Sequence, residues 1–159
     1  MEKMTFPPIY DKNSKVLILG SFPSVKSREN DFYYQHPQNR FWKLLEKLLD
    51  KKVPKDNNKK IKFLLENNIA LYDAIESCEI KGSSDSSIEL EKPADLTPIL
   101  ETADISAIFT NGKKAYDICR KKMDLDVKII SKPSTSPANA QYSLDRLVEN
   151  WQDILEYLK

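Results

Sequence analysis

The sequence predicts an α/β fold: three layers, α/β/α, around a central four-stranded parallel sheet. Short apolar runs alternate with segments of helical periodicity, and strands joined through helices must lie parallel with both faces covered. Each run exits into a turn or loop rich in Gly, Pro, Asn or Ser, where chemistry gathers in parallel sheets. The 159 residues suffice for one domain, spanning 1–159, with a substantial core.

Val16–Leu19 is the first strand, a continuous apolar run. Phe41, Leu44, Leu45, Leu48 and Leu49 then recur at helical spacing and mark an amphipathic helix ending before Pro54. Residues 59–67 read as a second, short helix with Ile61, Leu64 and Leu65 on one face. Residues 69–75, from Ile69 to Ile75, form the second strand. The polar stretch Lys81 to Ser87 follows as the longest irregular segment. Thr97 is the expected cap of the next helix, with Pro98 at its first helical position. Ile105–Thr110 is the third strand, and Asn111-Gly112 turns the chain into a helix carrying Ala115, Ile118 and Cys119. Val127–Ile130 is the fourth strand. Leu144, Leu147, Val148, Trp151, Ile154, Leu155 and Leu158 define one closing helix. All crossovers should be right-handed.

Composition narrows the function classes. A hydrophobic fraction of 40% beside 31% charged is ordinary for a globular protein. No apolar run approaches a membrane span and no signal-peptide pattern opens the chain, so a cytoplasmic location without membrane association is expected. Cys78 and Cys119 are the two cysteines, too few and too far apart for a disulfide scaffold or a four-cysteine metal site; free thiols are the better reading. A net charge of +1 does not announce a nucleic-acid binder, so any DNA contact must come from a local surface. Phosphate-loop, nucleophile-elbow and dinucleotide fingerprints are missing, and 3 glycines argue against a dinucleotide site.

The strand exits hold the unusual residues. Gly20-Ser21-Phe22-Pro23-Ser24 leaves the first strand, and Tyr33-Tyr34-Gln35-His36-Pro37-Gln38-Asn39-Arg40-Phe41-Trp42 follows with the only histidine. Three loops are rich in hydroxyls: Ser21, Ser24 and Ser27; Ser83 to Ser87; and Ser134 to Ser136. Such loops make turns, and they also donate to phosphate oxygens without a long charged arm. Tyr33 and Tyr34 sit in a loop, where one could stack on a planar base. His36 reads either as a general acid or base or as a brace for its turn. Asn39 exchanges no proton, yet its amide can hold a water or polarise a leaving group.

Taken together, these motifs resemble the uracil-DNA glycosylase superfamily, and within it the branch of hypoxanthine-DNA (DNA-deoxyinosine) glycosylases. Gly20-Ser21-Phe22-Pro23-Ser24 occupies the place of the first motif, and His36 to Trp42 also resembles the mismatch-specific uracil glycosylases. Lys132-Pro133-Ser134-Thr135-Ser136-Pro137 occupies the place of the second motif. Gly82 to Ser87 and the Asn111-Gly112 turn are also similar to the hypoxanthine branch. The resemblance runs from about Pro8 to the final helix.

The resemblance implies a monofunctional, cofactor-free and metal-free enzyme, active as a monomer on double- or single-stranded DNA containing deoxyinosine. It would flip out hypoxanthine and hydrolyse its N-glycosidic bond, leaving an abasic site. Phe22 stands where the superfamily commonly has a water-positioning Asp or Asn; the branch's substitute matches Asn39. Lys132 stands where the second motif often has His or Asn, and Thr135, Ser136 and Pro137 replace a bulky apolar wedge. Asn39 is thus the expected catalytic residue. Gly20, Ser21, Phe22, Tyr34, His36 and Asp73 form the expected base-binding set. Ser24, Ser27, Ser84, Lys132, Ser134, Thr135 and Ser136 are the expected phosphate contacts, with a solvated surface role open for Lys132. The alternatives are a glycosylase for uracil or mixed deaminated bases, and a catalytically silent nucleic-acid- or nucleotide-binding module.

Overall fold

The computed structural model describes residues 2–3, 6–22, 32–78 and 91–159. Its centre is a four-stranded parallel sheet of β2 (Val16–Gly20), β3 (Ile69–Asp73), β6 (Ala107–Asn111) and β7 (Lys128–Lys132), in the order β3-β2-β6-β7. The three-layer α/β/α expectation therefore holds. Every residue of β2, β3 and β6 is buried, as continuous apolar runs covered on both faces must be. β7 is the edge strand and is partly exposed.

Among the described residues, six helices flank this sheet, the last of them short. They are α1 (Phe41–Leu49), α2 (Asn57–Glu66), α3 (Thr97–Thr102), α4 (Lys113–Lys122), α5 (Leu144–Trp151) and α6 (Ile154–Leu158). Phe41, Leu44, Leu45 and Leu48 of α1 are buried, and α1 packs against α5, whose Leu147 and Trp151 are buried. The segment at Ile9 bridges antiparallel to Leu71, with reciprocal backbone hydrogen bonds of 2.9 Å, and so protects the β3 edge.

Three sequence expectations change. Residues 69–75 are not one strand: the chain turns at Ala74, whose N–H donates to the Gly20 carbonyl at 2.7 Å. Ile75 then starts β4 (Ile75–Cys78), the middle of an antiparallel sheet with β1 (Glu2–Lys3) and β5 (Glu91–Pro93). Thr97 is the first helical residue of α3 and not its cap. The Asp95 carboxylate accepts from the Thr97 N–H at 3.0 Å, doing the capping from two residues earlier. The closing helix is two helices broken at Gln152 and Asp153; both halves keep the same face inward, so periodicity alone cannot register the break.

Register decides where the functional side chains lie. Gly20 pairs with Asp73, Leu19 with Thr110, and Asn111 with Lys132. The carboxyl ends of all four strands therefore form one row, and the loops following them share one edge of the sheet.

Candidate active site

A pocket of about 160 Å³ opens at that edge, lined by Gly20, Ser21, Phe22, Tyr33, Tyr34, Asn39, Asp73, Asn111, Ser134, Thr135 and Ser136. A larger groove of about 720 Å³ adjoins it, sharing Ser21, Ser134 and Ser136 and adding Lys113 and Asn139.

Asn39 sits just before α1, and its side chain is oriented by two donors. Its Oδ1 accepts from the Phe41 N–H and from the Thr135 hydroxyl, each at 2.9 Å. A backbone N–H can only donate, so the oxygen is fixed on that side and the amide NH2 becomes the free end. Among the described residues Nδ2 makes no hydrogen bond.

Thr135 is itself held by Asn111, at the end of β6. The Asn111 Oδ1 accepts from the Thr135 N–H at 2.9 Å, and its Nδ2 donates to the Thr135 hydroxyl at 3.0 Å. Thr135 is 0% exposed and Asn111 8%. The chain Asn111–Thr135–Asn39–Phe41 is thus a polar relay, buried at Asn111 and Thr135 and half-buried at Asn39, the kind that gives a side chain one orientation. The expected phosphate contact of Thr135 is overturned: its hydroxyl is buried and both its amide and hydroxyl are engaged.

Arg40 fastens the same two loops. Its Nε donates to the Thr135 carbonyl at 3.3 Å, its Nη2 to the Ser136 and Asn139 carbonyls at 2.9 and 3.1 Å, and its Nη1 to the Tyr142 carbonyl. Its backbone N–H also reaches the Thr135 carbonyl at 3.1 Å. Sequence reasoning missed Arg40 and the side-chain role of Asn111. The available signal was a polar residue ending an apolar strand, directly before a glycine that must turn the chain; Gly112 has φ 100, in the left-handed region.

Tyr34 is in the left-handed region as well, with φ 55. Its ring stacks on Phe41 with centroids 4.1 Å apart and planes 26° apart, so one face belongs to the core and not to an open platform. The hydroxyl is buried near Asp73 and Asn111. A Cβ on Gly20 would lie 2.6 Å from this hydroxyl and 2.7 Å from Asp73 Oδ1, which is why position 20 carries no side chain. Burial pushes the Tyr34 phenol far above its ordinary pKa, the Asp73 carboxylate adds to this, and the Asn111 amide opposes it. Tyr34 therefore stays protonated. Asp73 is 3% exposed, and Phe22 is half-buried with the Lys114 ammonium 4.8 Å from its ring centroid.

Ser134 and Ser136 stand at the pocket's mouth. Their hydroxyl oxygens accept from the Ser136 and Ala138 N–H groups, both at 3.1 Å, and these turns leave each hydroxyl proton to donate outward.

Two expected site residues lie elsewhere. His36 does not line the pocket; its Nδ1 accepts from the Gln38 N–H at 3.1 Å and its carbonyl from the Asn39 N–H at 3.0 Å. It braces the turn that presents Asn39. Lys132 touches the groove but sends its ammonium to Asp153, at 2.6 Å, and to the Asn150 carbonyl, at 2.8 Å. With 11% of its side chain exposed, it ties β7 to α5 and α6, so neither the phosphate contact nor the solvated reading holds. Ser24, Ser27 and Ser84 lie outside the described residues. Cys119 is a buried free thiol whose pKa burial pushes up to about 12, an inert core position.

Among the described residues no helix is long and apolar enough to cross a membrane. The profile of the uracil DNA glycosylase superfamily matches residues 7–159. A hypoxanthine DNA glycosylase of Methanosarcina acetivorans is 34% identical, covering 99% of this chain and 100% of that protein. One of Methanosarcina barkeri is 31% identical over 96% and 98% of the two chains. A solution NMR structure of a uracil DNA glycosylase candidate from Methanosarcina acetivorans superposes with a TM-score of 0.81, at 32% identity and 99% coverage of both chains. The parallel sheet, the pocket at its carboxyl edge and these full-length likenesses agree, and the chain belongs to the uracil DNA glycosylase superfamily.

Proposed function

We propose that this protein is a monofunctional glycosylase that extrudes hypoxanthine from deoxyinosine-containing DNA and hydrolyses its N-glycosidic bond. The observation that carries the proposal is the orientation of Asn39: its oxygen is held by Phe41 and Thr135, and its NH2 is left to the pocket. That NH2 donates to one lone pair of a water and leaves the other directed at the anomeric carbon. Cleavage develops oxocarbenium character at this carbon, so a positioned neutral water suffices and no activated nucleophile is needed. No cofactor takes part.

Around that water the other residues divide the work. The Asp73 carboxylate accepts the ring N–H that deamination creates, where adenine has a bare ring nitrogen and would be repelled. Phe22 and Tyr34 supply aromatic walls, and backbone amides near Ser21 and Phe22 read the base's polar edge. Ser134 and Ser136 donate to flanking phosphates in the adjoining groove. Extrusion costs roughly a few kcal/mol and least for a mispaired base, which favours a hypoxanthine opposite thymine.

The names of the two Methanosarcina relatives support hypoxanthine; the name of the NMR structure favours uracil as the second reading. Incubation with duplexes bearing hypoxanthine, uracil, xanthine or ethenoadenine, followed by alkaline cleavage of abasic sites, separates them. Strand scission confined to hypoxanthine is the expected result. Scission confined to uracil would replace this reading with the second, and scission of none would refute both.

A further inference from the structure

We infer that the Tyr34 hydroxyl is a catalytic donor, one that hydrogen-bonds the carbonyl oxygen of the extruded base and stabilises the negative charge the base carries as it departs. The inference rests on the glycosylase reading above and adds the group that activates the leaving base.

Three observations at this side chain point to a ligand. The hydroxyl is buried and its proton finds no acceptor among the described residues, an unfavourable condition for a buried donor. The residue is held in the left-handed region at φ 55, an uncommon and strained conformation for an aromatic. The surroundings are shaped to keep it there: Phe41 stacks on its ring, and Gly20 leaves the space that any Cβ would fill. An unsatisfied donor, a strained backbone and a vacated Cβ position coincide at the wall of one pocket. Strain of this kind is held in place by the surrounding structure and clusters at active sites and ligand clamps.

The reaction also requires a donor here. The bond between the anomeric carbon and the base nitrogen breaks with its electron pair moving onto the base. The water oxygen bonds to the anomeric carbon, and the water's proton ends on the released base or in solvent. During the step, charge spreads through the ring onto the carbonyl oxygen. Lys132, at the second-motif position that would meet this charge, is engaged with Asp153. Tyr34 does not transfer its proton; burial keeps the phenol neutral, and its role is a hydrogen bond that strengthens as charge develops.

Tyr34→Phe keeps the ring and its stack on Phe41 and removes only the hydroxyl. Single-turnover release of the base that the wild-type protein excises should fall on the order of 10²-fold, as for loss of one preorganised donor. Binding to a duplex carrying the unreactive 2′-fluoro analogue should weaken far less than release, and the Tm should not fall, because an unpaired buried hydroxyl contributes no stability. Unchanged release would overturn this inference alone. A slower release accompanied by equally weakened binding or a lowered Tm would also overturn it, in favour of a structural role. Wild-type protein that releases no base from any of the four duplexes would refute the functional reading and this inference together.

Discussion

The Thr135 hydroxyl donates to Asn39 Oδ1 at 2.9 Å across 96 residues of chain. This single contact joins the loop before α1 to the loop after β7 and decides which end of the Asn39 amide meets the pocket. Without it, only the Phe41 N–H would hold the amide.

Thr135→Val removes the donor while keeping the shape, and Thr135→Ser retains it. Excision by the valine variant should fall by roughly tenfold to a hundredfold, less than the 10²–10³ typical of losing a reacting donor itself. The serine variant should stay within a few-fold of wild type. KM should be little changed in both. A serine variant impaired more than the valine variant would show that the methyl packing, and not the hydroxyl, is what matters.

Arg40→Lys should destabilise the fold. The guanidinium reaches four carbonyls of the second-motif loop, a forked arrangement that an ammonium cannot reproduce. A loss of about 3–6 kcal/mol follows from losing two such charged hydrogen bonds, read as a lower denaturant midpoint at unchanged m-value. A midpoint equal to wild type would contradict it.

Lys132→Ala should lower the Tm and leave the salt dependence of DNA binding almost unchanged. Each neutralised phosphate contributes about −0.9 to the slope of log affinity against log salt, and the Lys132 ammonium is occupied by Asp153. For this nearly neutral chain the wild-type slope should be shallow, roughly −2 to −4 by the same relation. A slope shallower by about one unit in the variant would return Lys132 to the DNA surface.

Asp95 gives a pH signature. The Thr97 hydroxyl first, and its N–H second, hold the Asp95 carboxyl below its ordinary range. A depressed folded-state pKa contributes stability that is present above the unfolded value and lost as pH falls through the folded value. Asp95→Ala should therefore lower the Tm at neutral pH, and the gap to wild type should narrow on acidification below the usual aspartate range. A gap independent of pH would assign the effect to something other than this carboxylate.

The parallel sheet was legible because β2, β3 and β6 are buried on both faces and so read as unbroken apolar runs. The antiparallel sheet was not, since Glu2–Lys3 and Glu91–Pro93 are short and polar, with no apolar period to detect. At the site, local signals placed Asn39 beside a turn and Gly20 at a strand exit. The Arg40 contacts span 95 to 102 residues, and no local pattern encodes such pairing. Thr135 looked like a surface hydroxyl because its loop is Ser- and Pro-rich; its burial comes from Asn111, which the β6–β7 register brings beside it. Tyr34 looked like a loop aromatic because its contact with Phe41 depends on a left-handed backbone that an aromatic residue seldom adopts.

The most direct test of the account is single-turnover release of hypoxanthine by Asn39→Ala, measured beside its binding to lesion duplex. If the Asn39 amide positions the attacking water, release should fall on the order of 10²–10³-fold while affinity for the duplex stays near that of wild type. Release at close to the wild-type rate would contradict the assignment, and with it the mechanism built on the Asn39 orientation.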